Sequence, residues 1–160
     1  MCGFAGYIGY EIPSVDTLNK TAQTLRHRGP DGEGIYTHQL AKQNLVLVHR
    51  RLAIIDLESR SNQPFRIGNK ILVYNGEIYN YLEIRQKLKN LGYSFVTDGD
   101  TEVLAIALKH WGMKALNKLE GMWSFAWYDD FTGELTLCRD RFGEKPLYLW
   151  RVENGIYFVK

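Results

Sequence analysis

The order of the strand and helix patterns constrains the fold of this chain more than any other feature. Apolar and aromatic runs of strand length are more frequent than helical patterns, and several follow one another with only a turn between them. Consecutive strands joined by turns form antiparallel hairpins, whereas a doubly wound parallel sheet requires strands that alternate with helices. We therefore predict an α+β fold with mainly antiparallel sheets.

The predicted strands are short apolar runs bounded by turn-forming residues. They cover residues 2–9, 34–38, 45–49, 70–74, 93–96, 122–128, 135–138, 147–150 and 156–159. Asn75-Gly76 is a strong turn dipeptide and predicts that the fourth of these strands ends there. Residues 56–64 are polar and are predicted to be irregular.

Three segments have apolar residues at helical spacing. The first helix is predicted from Ser14, as N-cap, to about Arg26, and the second ends at Leu91 with Gly92 as its C-terminal signal. The third begins at Asp100, a plausible N-cap, and ends near residue 112. Residues 27–32 between the first helix and the next strand are rich in turn formers and are predicted to form a loop.

Length and composition indicate one ordinary globular domain. The chain has 160 residues, with 20 basic and 18 acidic side chains, and this near balance argues against a dedicated nucleic-acid or membrane-surface binder. No apolar run approaches the roughly 20 residues of a membrane span, and the first residues lack the basic region of a signal peptide. Cys2 and Cys138 do not make a disulfide framework, so we expect a cytoplasmic protein.

Cys2 is a candidate nucleophile because of its position. Once the initiator Met1 is removed, Cys2 carries a thiol and a free α-amine on one Cα atom, so one residue supplies both the nucleophile and its base. The alternative is a small buried residue in the first strand, and position alone favours that alternative.

Asn75-Gly76-Glu77 has two interpretations. It is either a tight turn or an oxyanion hole, in which a side-chain amide and a backbone N–H of a glycine donate to one point. The neighbouring carboxylate of Glu77 would then be placed to hold a substrate amine.

Arg50 and Arg51 follow the apolar run at 45–48, and in a strand they point to opposite faces. An inward guanidinium requires an anion, and its planar shape suits a carboxylate. A surface charge at a strand end is an equally good interpretation.

The remaining ligand-type residues do not form a metal or phosphate site. Asp98 and Asp100 flank Gly99, but Val103 lies where a calcium loop needs glycine. The glycines of residues 29–34 are not followed by the Lys-Ser/Thr of a phosphate loop. Zinc-type spacing is absent among the histidines, which are His27, His38, His49 and His110.

Eight segments, in order, resemble the glutaminase domain of asparagine synthetases, a class II glutamine amidotransferase with an N-terminal nucleophile. They are CGFAG at 2–6, HRGPDGEG at 27–34, HRRLAIID at 49–56, NQPF at 62–65, YNGEIYNY at 74–81, DGDTEVL at 98–104, EGMWSFAWYD at 120–129 and RDRFGEKPLY at 139–148. The resemblance implies that residues 1–160 form a type-2 amidotransferase domain with the N-terminal-nucleophile hydrolase fold. This fold is a four-layer αββα sandwich of two antiparallel sheets.

The resemblance also implies a reaction and its residues. Cys2 would attack the side-chain amide of L-glutamine with its own α-amine as base, and release ammonia and then glutamate through a thioester. Asn75 and Gly76 would form the oxyanion hole. Glutamine would be bound by Arg51, at its α-carboxylate, by Asp100, at its α-ammonium, and by Glu77, Leu52, Ala53, Ile54 and Ile55. The loop at 27–31 would close over the site, and this domain would need no metal or cofactor.

The implied partner is a C-terminal synthetase domain or a separate ammonia-accepting subunit, which would bind ATP and Mg²⁺. Its Ser-Gly-Gly-rich phosphate loop does not occur in residues 1–160, and Phe158-Val159-Lys160 stands where the family reads Phe-Ala-Ser-Glu. We therefore expect either an excised domain or a divergent amidotransferase with another acceptor, such as a sugar of a surface polysaccharide. A homodimer stays open.

Three rival functions remain at this point. The first is a catalytically silent module of the same fold, and the second is an N-terminal-nucleophile hydrolase acting on another amide. The third is a Cys–His hydrolase that pairs Cys2 with His27 or His49.

Overall fold

The strands form two antiparallel sheets in the computed structural model, which describes residues 1–160. Strands are numbered β1 to β9 along the chain. The five-stranded sheet has, in spatial order, β2 (Gly32–Leu40), β3 (Gln43–Arg51), β1 (Gly3–Gly9), β9 (Gly155–Val159) and β8 (Tyr148–Val152). The four-stranded sheet has β4 (Phe65–Ile67), β5 (Lys70–Ile78), β6 (Gly121–Asp129) and β7 (Leu135–Arg139).

The three predicted α-helices are present. They are α1 (Val15–Leu25), α2 (Tyr81–Asn90) and α3 (Asp100–Trp111), and short 3₁₀ helices cover Ser59–Ser61 and Gly112–Lys118. Ser14 caps α1, since its hydroxyl accepts the N–H of Thr17 at 3.2 Å, and Gly92 follows α2 with a φ of 92°. The N-cap of α3 is Gly99, so the prediction that Asp100 caps this helix was wrong by one residue.

Three apolar clusters define the layers. Residues of α1 pack on the outer face of the five-stranded sheet, and Phe4, Leu47 and Val73 belong to a cluster between the two sheets. The largest cluster joins the outer face of the four-stranded sheet to α2 and α3. This arrangement is a four-layer αββα sandwich, as the resemblance implied.

The pleat of the strands brings polar residues into the same interior layer. Leu45 and Leu47 of β3 face between the sheets, and the same alternation places Arg51 at the end of that row. Val73 of β5 faces the same layer, and Asn75 follows it two residues later. The apolar layer between the sheets therefore ends in polar side chains near the start of β1.

The predicted turn at Asn75-Gly76 was wrong. The dipeptide lies inside β5, where Asn75 pairs with Ser124 and Gly76 with Trp123 of β6. Pairing with a full-length neighbour overrides the local turn preference of the dipeptide. A Cβ atom on residue 76 would lie 2.2 Å from the carbonyl oxygen of Met122, so close packing against β6 requires glycine here.

The predicted strand at 93–96 was also wrong. Tyr93 and Phe95 pack against the core beside α2 and α3, which explains their apolar character without a sheet. The N–H of Val96 donates to the carboxylate of Glu102 at 3.0 Å instead of to a neighbouring strand. The short β4 and the 3₁₀ helix Gly112–Lys118 were not predicted, because neither is long enough to show a clear period.

None of the three helices has both the length and the apolar character needed to cross a lipid bilayer.

Candidate active site

A cleft at the polar end of the sandwich brings together nearly all of the predicted site residues. Its lining includes Cys2, Arg51, Leu52, Ile54, Ile55, Asn75, Gly76, Glu77 and Asp100. Ala53 is the exception, since it does not line the cleft. Four segments that are distant in sequence supply these residues: the start of β1, the end of β3 with the following loop, the end of β5, and the start of α3.

Cys2 lies immediately before β1 and contacts the loop after β3. The N–H of Leu52 donates to the Cys2 Sγ at 3.4 Å, and the thiol donates to the carbonyl oxygen of Leu52 at 3.7 Å. Burial raises the pKa of the Cys2 thiol, although the Leu52 N–H and the charge of Arg51 act in the opposite direction. The thiol is therefore protonated at neutral pH and requires a base before it can attack.

The side-chain amide of Asn75 is buried without any hydrogen bond. Its side chain is 1% exposed, and neither its Nδ2 nor its Oδ1 has a hydrogen-bond partner within the protein. A buried amide without partners is unfavourable by about 1–3 kcal/mol, so native proteins rarely keep one without a functional reason. The side chain lines the cleft and is a donor available to a bound group.

The N–H of Gly76 points to the open edge of β5. The N–H groups of Tyr74 and Ile78 donate away from β6, to Gln63 Oε1 at 2.6 Å and to Asp100 Oδ2 at 3.0 Å. Because strand geometry repeats every two residues, the N–H of Gly76 points the same way. Since β4 pairs with β5 only as far as Leu72, no strand covers this edge at Gly76.

Asp100 is held by β5 at the first turn of α3. Its Oδ2 accepts the Tyr74 hydroxyl at 2.8 Å as well as the N–H of Ile78. Burial raises the pKa of the Asp100 carboxyl, while these two hydrogen bonds lower it. The carboxylate is thus a buried, fixed acceptor that lines the cleft.

Arg51 faces the cleft and Arg50 faces away from it, as the strand alternation predicted. The guanidinium of Arg51 donates to the carbonyl oxygens of Glu58 at 2.9 Å and Ile55 at 3.3 Å, and to that of Asp56. The guanidinium of Arg50 bonds instead to the carbonyl oxygen of Gly29 and to Glu33. Arg51 therefore supports the loop after β3 at the same time as it places a positive charge at the cleft.

The other two predicted contacts lie at the margin. Glu77 is exposed where it lines the cleft. Ala53 is fixed from outside by Asp31, whose Oδ2 accepts its N–H at 2.8 Å. Arg28 donates to the carbonyl oxygen of Cys2 at 3.1 Å, so the 27–31 segment contacts both Cys2 and the loop after β3.

Neither histidine of the Cys–His alternative lines the cleft. His27 is exposed, and its Nδ1 contacts the carbonyl oxygen of Thr24 at 2.9 Å. His49 is fully buried, with its Nε2 at 3.2 Å from the carbonyl oxygen of Tyr74, and burial lowers its pKa to about 3. A base for Cys2 is therefore not supplied by these side chains.

Sequence reasoning missed several lining residues. Tyr74, Gln63 and Thr101 support the site through hydrogen bonds, since Gln63 bridges the N–H of Tyr74 and the hydroxyl of Thr101. These three residues lie within the family segments 62–65, 74–81 and 98–104, and that position could have predicted them. Met1 and Ser61 also line the cleft, and no group of three or more His, Cys, Asp or Glu side chains gathers to hold a metal ion.

Comparison with known proteins identifies the family of the chain. The profile of the glutamine amidotransferase domain family matches residues 1–159. The chain belongs to this family. Similar relatives of this amidotransferase domain include a putative asparagine synthetase [glutamine-hydrolyzing] of Mycobacterium tuberculosis, 40% identical over 93% of the chain and 25% of the relative.

Two further relatives are also asparagine synthetases by name. Asparagine synthetase [glutamine-hydrolyzing] 1 of Bacillus subtilis is 37% identical and asparagine synthetase B [glutamine-hydrolyzing] of Escherichia coli is 35% identical, each over 99% of this chain. The amidotransferase domain spans only 26% and 28% of their lengths.

Solved structures agree on the fold. The glutamine phosphoribosylpyrophosphate amidotransferase of Bacillus subtilis superposes with a TM-score of 0.78, at 24% identity, over 99% of this chain and 41% of that enzyme. A structure described as the allosteric regulatory enzyme of purine biosynthesis gives a TM-score of 0.80 at the same identity.

Proposed function

We propose that this domain hydrolyses the side-chain amide of L-glutamine to glutamate and ammonia, with Cys2 as the nucleophile. One observation carries the proposal: the unpartnered, buried amide of Asn75 lines the same cleft as the Cys2 thiol. A fixed donor beside a nucleophile is what stabilisation of a tetrahedral oxyanion requires.

Removal of Met1 must precede the reaction. Met1 is 48% exposed, and Cys2 is a small residue, so the bond between them is accessible to an aminopeptidase. Removal converts the Cys2 amide into an α-amine, which can accept the thiol proton as a base on the same residue. The raised pKa of the thiol is the reason why such a base is needed.

The thiolate then adds to the amide carbon of glutamine. The oxyanion accepts hydrogen bonds from the Asn75 Nδ2 and the Gly76 N–H, and the protonated α-amine gives its proton to the departing nitrogen. Ammonia leaves, and a glutamyl thioester remains on Cys2. Water, deprotonated by the same α-amine, adds to the thioester and releases glutamate and the thiol.

Recognition of an α-amino acid explains the other charged groups. Asp100 offers a buried carboxylate to the α-ammonium, and Arg51 offers a positive charge to the α-carboxylate. The exposed carboxylate of Glu77 lies at the margin, where it orients the amine. A substrate without these two charges would leave Asp100 buried and unpaired, which is unfavourable.

We further propose that the ammonia serves the ATP-dependent amidation of aspartate in a cytoplasmic asparagine synthetase. The names of the relatives support this acceptor, and their additional length supports a synthetase domain as the partner that binds ATP and Mg²⁺. The glutaminase half-reaction is a thiol-dependent hydrolysis, whose chemistry needs no metal or organic cofactor.

A comparison of amide substrates tests the proposal. The chain with a free Cys2 is expected to release ammonia from L-glutamine, and much less from L-asparagine, from D-glutamine and from glutaramide, which lacks the α-ammonium group and has a neutral amide in place of the α-carboxylate. The Cys2→Ala variant should release none. Equal turnover of glutaramide and L-glutamine would contradict the roles of Arg51 and Asp100.

A further inference from the structure

One buried carboxylate outside the cleft lining connects the two segments that bind the substrate charges. Asp56 follows the loop of Leu52 to Ile55, and its side chain is 1% exposed. Its backbone has a φ of 53°, a left-handed conformation that Asp and Asn adopt more readily than most residues. Nothing in the reaction described above uses this residue.

The main chain of Asp56 is bound to Arg51. The guanidinium of Arg51 donates to the carbonyl oxygens of Ile55 and Asp56, and the carbonyl oxygen of Glu58 accepts from the same guanidinium at 2.9 Å. The positive charge at the cleft is therefore fixed by the backbone on both sides of Asp56.

The side chain of Asp56 is bound to the segment that precedes α3. Its Oδ2 accepts the N–H of Asp98 at 2.7 Å, and its Oδ1 accepts the N–H of Glu58 at 3.1 Å. Arg60 reinforces the link, since it contacts Asp56 Oδ2 at 3.2 Å and Asp98 Oδ2 at 3.0 Å. Asp98 is two residues from Asp100, the proposed acceptor of the substrate ammonium.

We infer that Asp56 is a positioning residue, which fixes the distance between Arg51 and Asp100 so that both charges of an α-amino acid are bound together. This inference rests on the proposed function. The alternative is a purely structural carboxylate, whose loss lowers stability without a selective effect on substrate binding.

The structure offers a matched control for that alternative. Asp129 also accepts two backbone N–H groups, those of Phe131 at 2.9 Å and Thr132 at 3.3 Å, in the turn after β6. Burial opposes ionisation of both carboxyls, but their hydrogen bonds lower the pKa of each to about 2. Asp129 does not line the cleft, so its loss reports the effect of losing such a carboxylate elsewhere in the fold.

The test compares Asp56→Asn with Asp129→Asn in the chain with a free Cys2. Asparagine keeps the shape and tolerates the positive φ, but its NH₂ group must face one of the donors that converge on Asp56. We expect the KM for L-glutamine to rise roughly tenfold in Asp56→Asn while kcat changes less than about threefold. Asp129→Asn should leave both constants near those of the unsubstituted chain.

Amide hydrogen exchange gives a second readout that does not depend on turnover. Asp56→Asn should speed exchange in both the 52–58 and the 96–100 segments, and Asp129→Asn in neither. Unchanged exchange at 96–100, or an unchanged KM in an active Asp56→Asn variant, would overturn the inference. Absence of glutamate release from the unsubstituted chain would instead refute the proposed function, and the exchange experiment would still decide whether Asp56 couples the two segments.

Discussion

The hydroxyl of Tyr74 donates a 2.8 Å hydrogen bond to the carboxylate of Asp100, and this contact joins α3 to β5 inside the site. Asn75 and Gly76 follow Tyr74 directly in the same strand. The proposed acceptor of the substrate ammonium and the proposed oxyanion donors therefore belong to one rigid unit. A second unit, the end of β3 with the loop that follows it, carries Arg51 and contacts Cys2 through Leu52.

This contact predicts a shift in pH dependence when Tyr74 is replaced by Phe. Asp100 must be ionised to bind an ammonium group, so kcat/KM falls as acid protonates it. Burial already raises the pKa of Asp100, and loss of the Tyr74 hydroxyl removes a hydrogen bond that lowers it. The acid limb of the kcat/KM profile should move to higher pH in Tyr74→Phe.

Tyr7→Phe is the matched control for that profile, because the Tyr7 hydroxyl donates to the carbonyl oxygen of Asn154 away from the cleft. Its acid limb should coincide with that of the unsubstituted chain. A Tyr74→Phe profile that stays in place or moves to lower pH would be incompatible with the role given to Asp100.

Replacement of Asn75 by Ala should separate activity from stability. Loss of one oxyanion donor is expected to lower kcat by about 10²–10³-fold with little change in KM. Because both polar atoms of the Asn75 side chain lack partners, the free energy of unfolding should not fall by more than the loss of packing, and Tm should stay close to its starting value.

Asn44→Ala is the control variant, and it should affect stability and not activity. Asn44 is also buried, but its Nδ2 donates to the carbonyl oxygen of Tyr10 at 3.0 Å. It pairs with Gly9, at the end of β1 opposite to Cys2, and does not line the cleft. Its replacement should lower Tm and leave kcat intact. A large loss of kcat in Asn44→Ala, or an unchanged kcat in Asn75→Ala, would contradict the assignment of the oxyanion donor.

Adjacent arginines allow a direct test of the carboxylate contact. Arg51→Ala should raise the KM for L-glutamine by about tenfold or more, because it removes a charge-assisted hydrogen bond from a buried site. Arg50→Ala removes the neighbouring charge, which faces the opposite side of β3, and should change KM much less. Steady-state kinetics on both variants decides, and equal KM values for the two would exclude a specific contact with Arg51.

His49 predicts how stability depends on pH. Its pKa is lowered from 6.5 to about 3 because burial disfavours the charged ring. Below pH 6.5 the unfolded chain binds a proton at His49 that the folded chain does not bind. The free energy of unfolding is therefore unaffected by His49 above pH 6.5 and decreases as the pH falls towards 3. Urea unfolding at pH 4.5 and 7.5 should show this loss, and His49→Gln should reduce the difference between the two pH values.

His27→Gln, at an exposed position, should leave that difference as it is. The same two variants test the Cys–His alternative, since neither should abolish glutamine turnover. Complete loss of turnover in either one, with the fold intact, would bring back a histidine base.

The sequence predicted most of the layers and most of the residues that line the cleft, for physical reasons that differ from residue to residue. The alternation of side chains along β3 correctly predicted that Arg50 and Arg51 face opposite sides of the strand. The hydroxyl of Ser14 correctly predicted the start of α1. The motifs that carried the family resemblance then placed Cys2, Asn75 and Asp100 in one site, which neither spacing nor composition could do.

The failures came from tertiary contacts that leave no local signal. Asn75-Gly76 has the composition of a turn, but pairing with β6 keeps it extended. The roles of Tyr74 and Asp56 depend on partners about 26 and 42 residues away in the chain, Asp100 and Asp98, and no period or motif spacing encodes such a contact.

The role of Cys2 is best tested by measuring glutamate release from L-glutamine on samples whose N-terminus is defined by intact mass. We predict turnover in proportion to the fraction of chains that begin at Cys2, and none in Cys2→Ala or in chains that keep Met1. Turnover by a chain that keeps Met1, or by Cys2→Ala, would contradict the claim that the thiol and the α-amine of Cys2 carry the reaction.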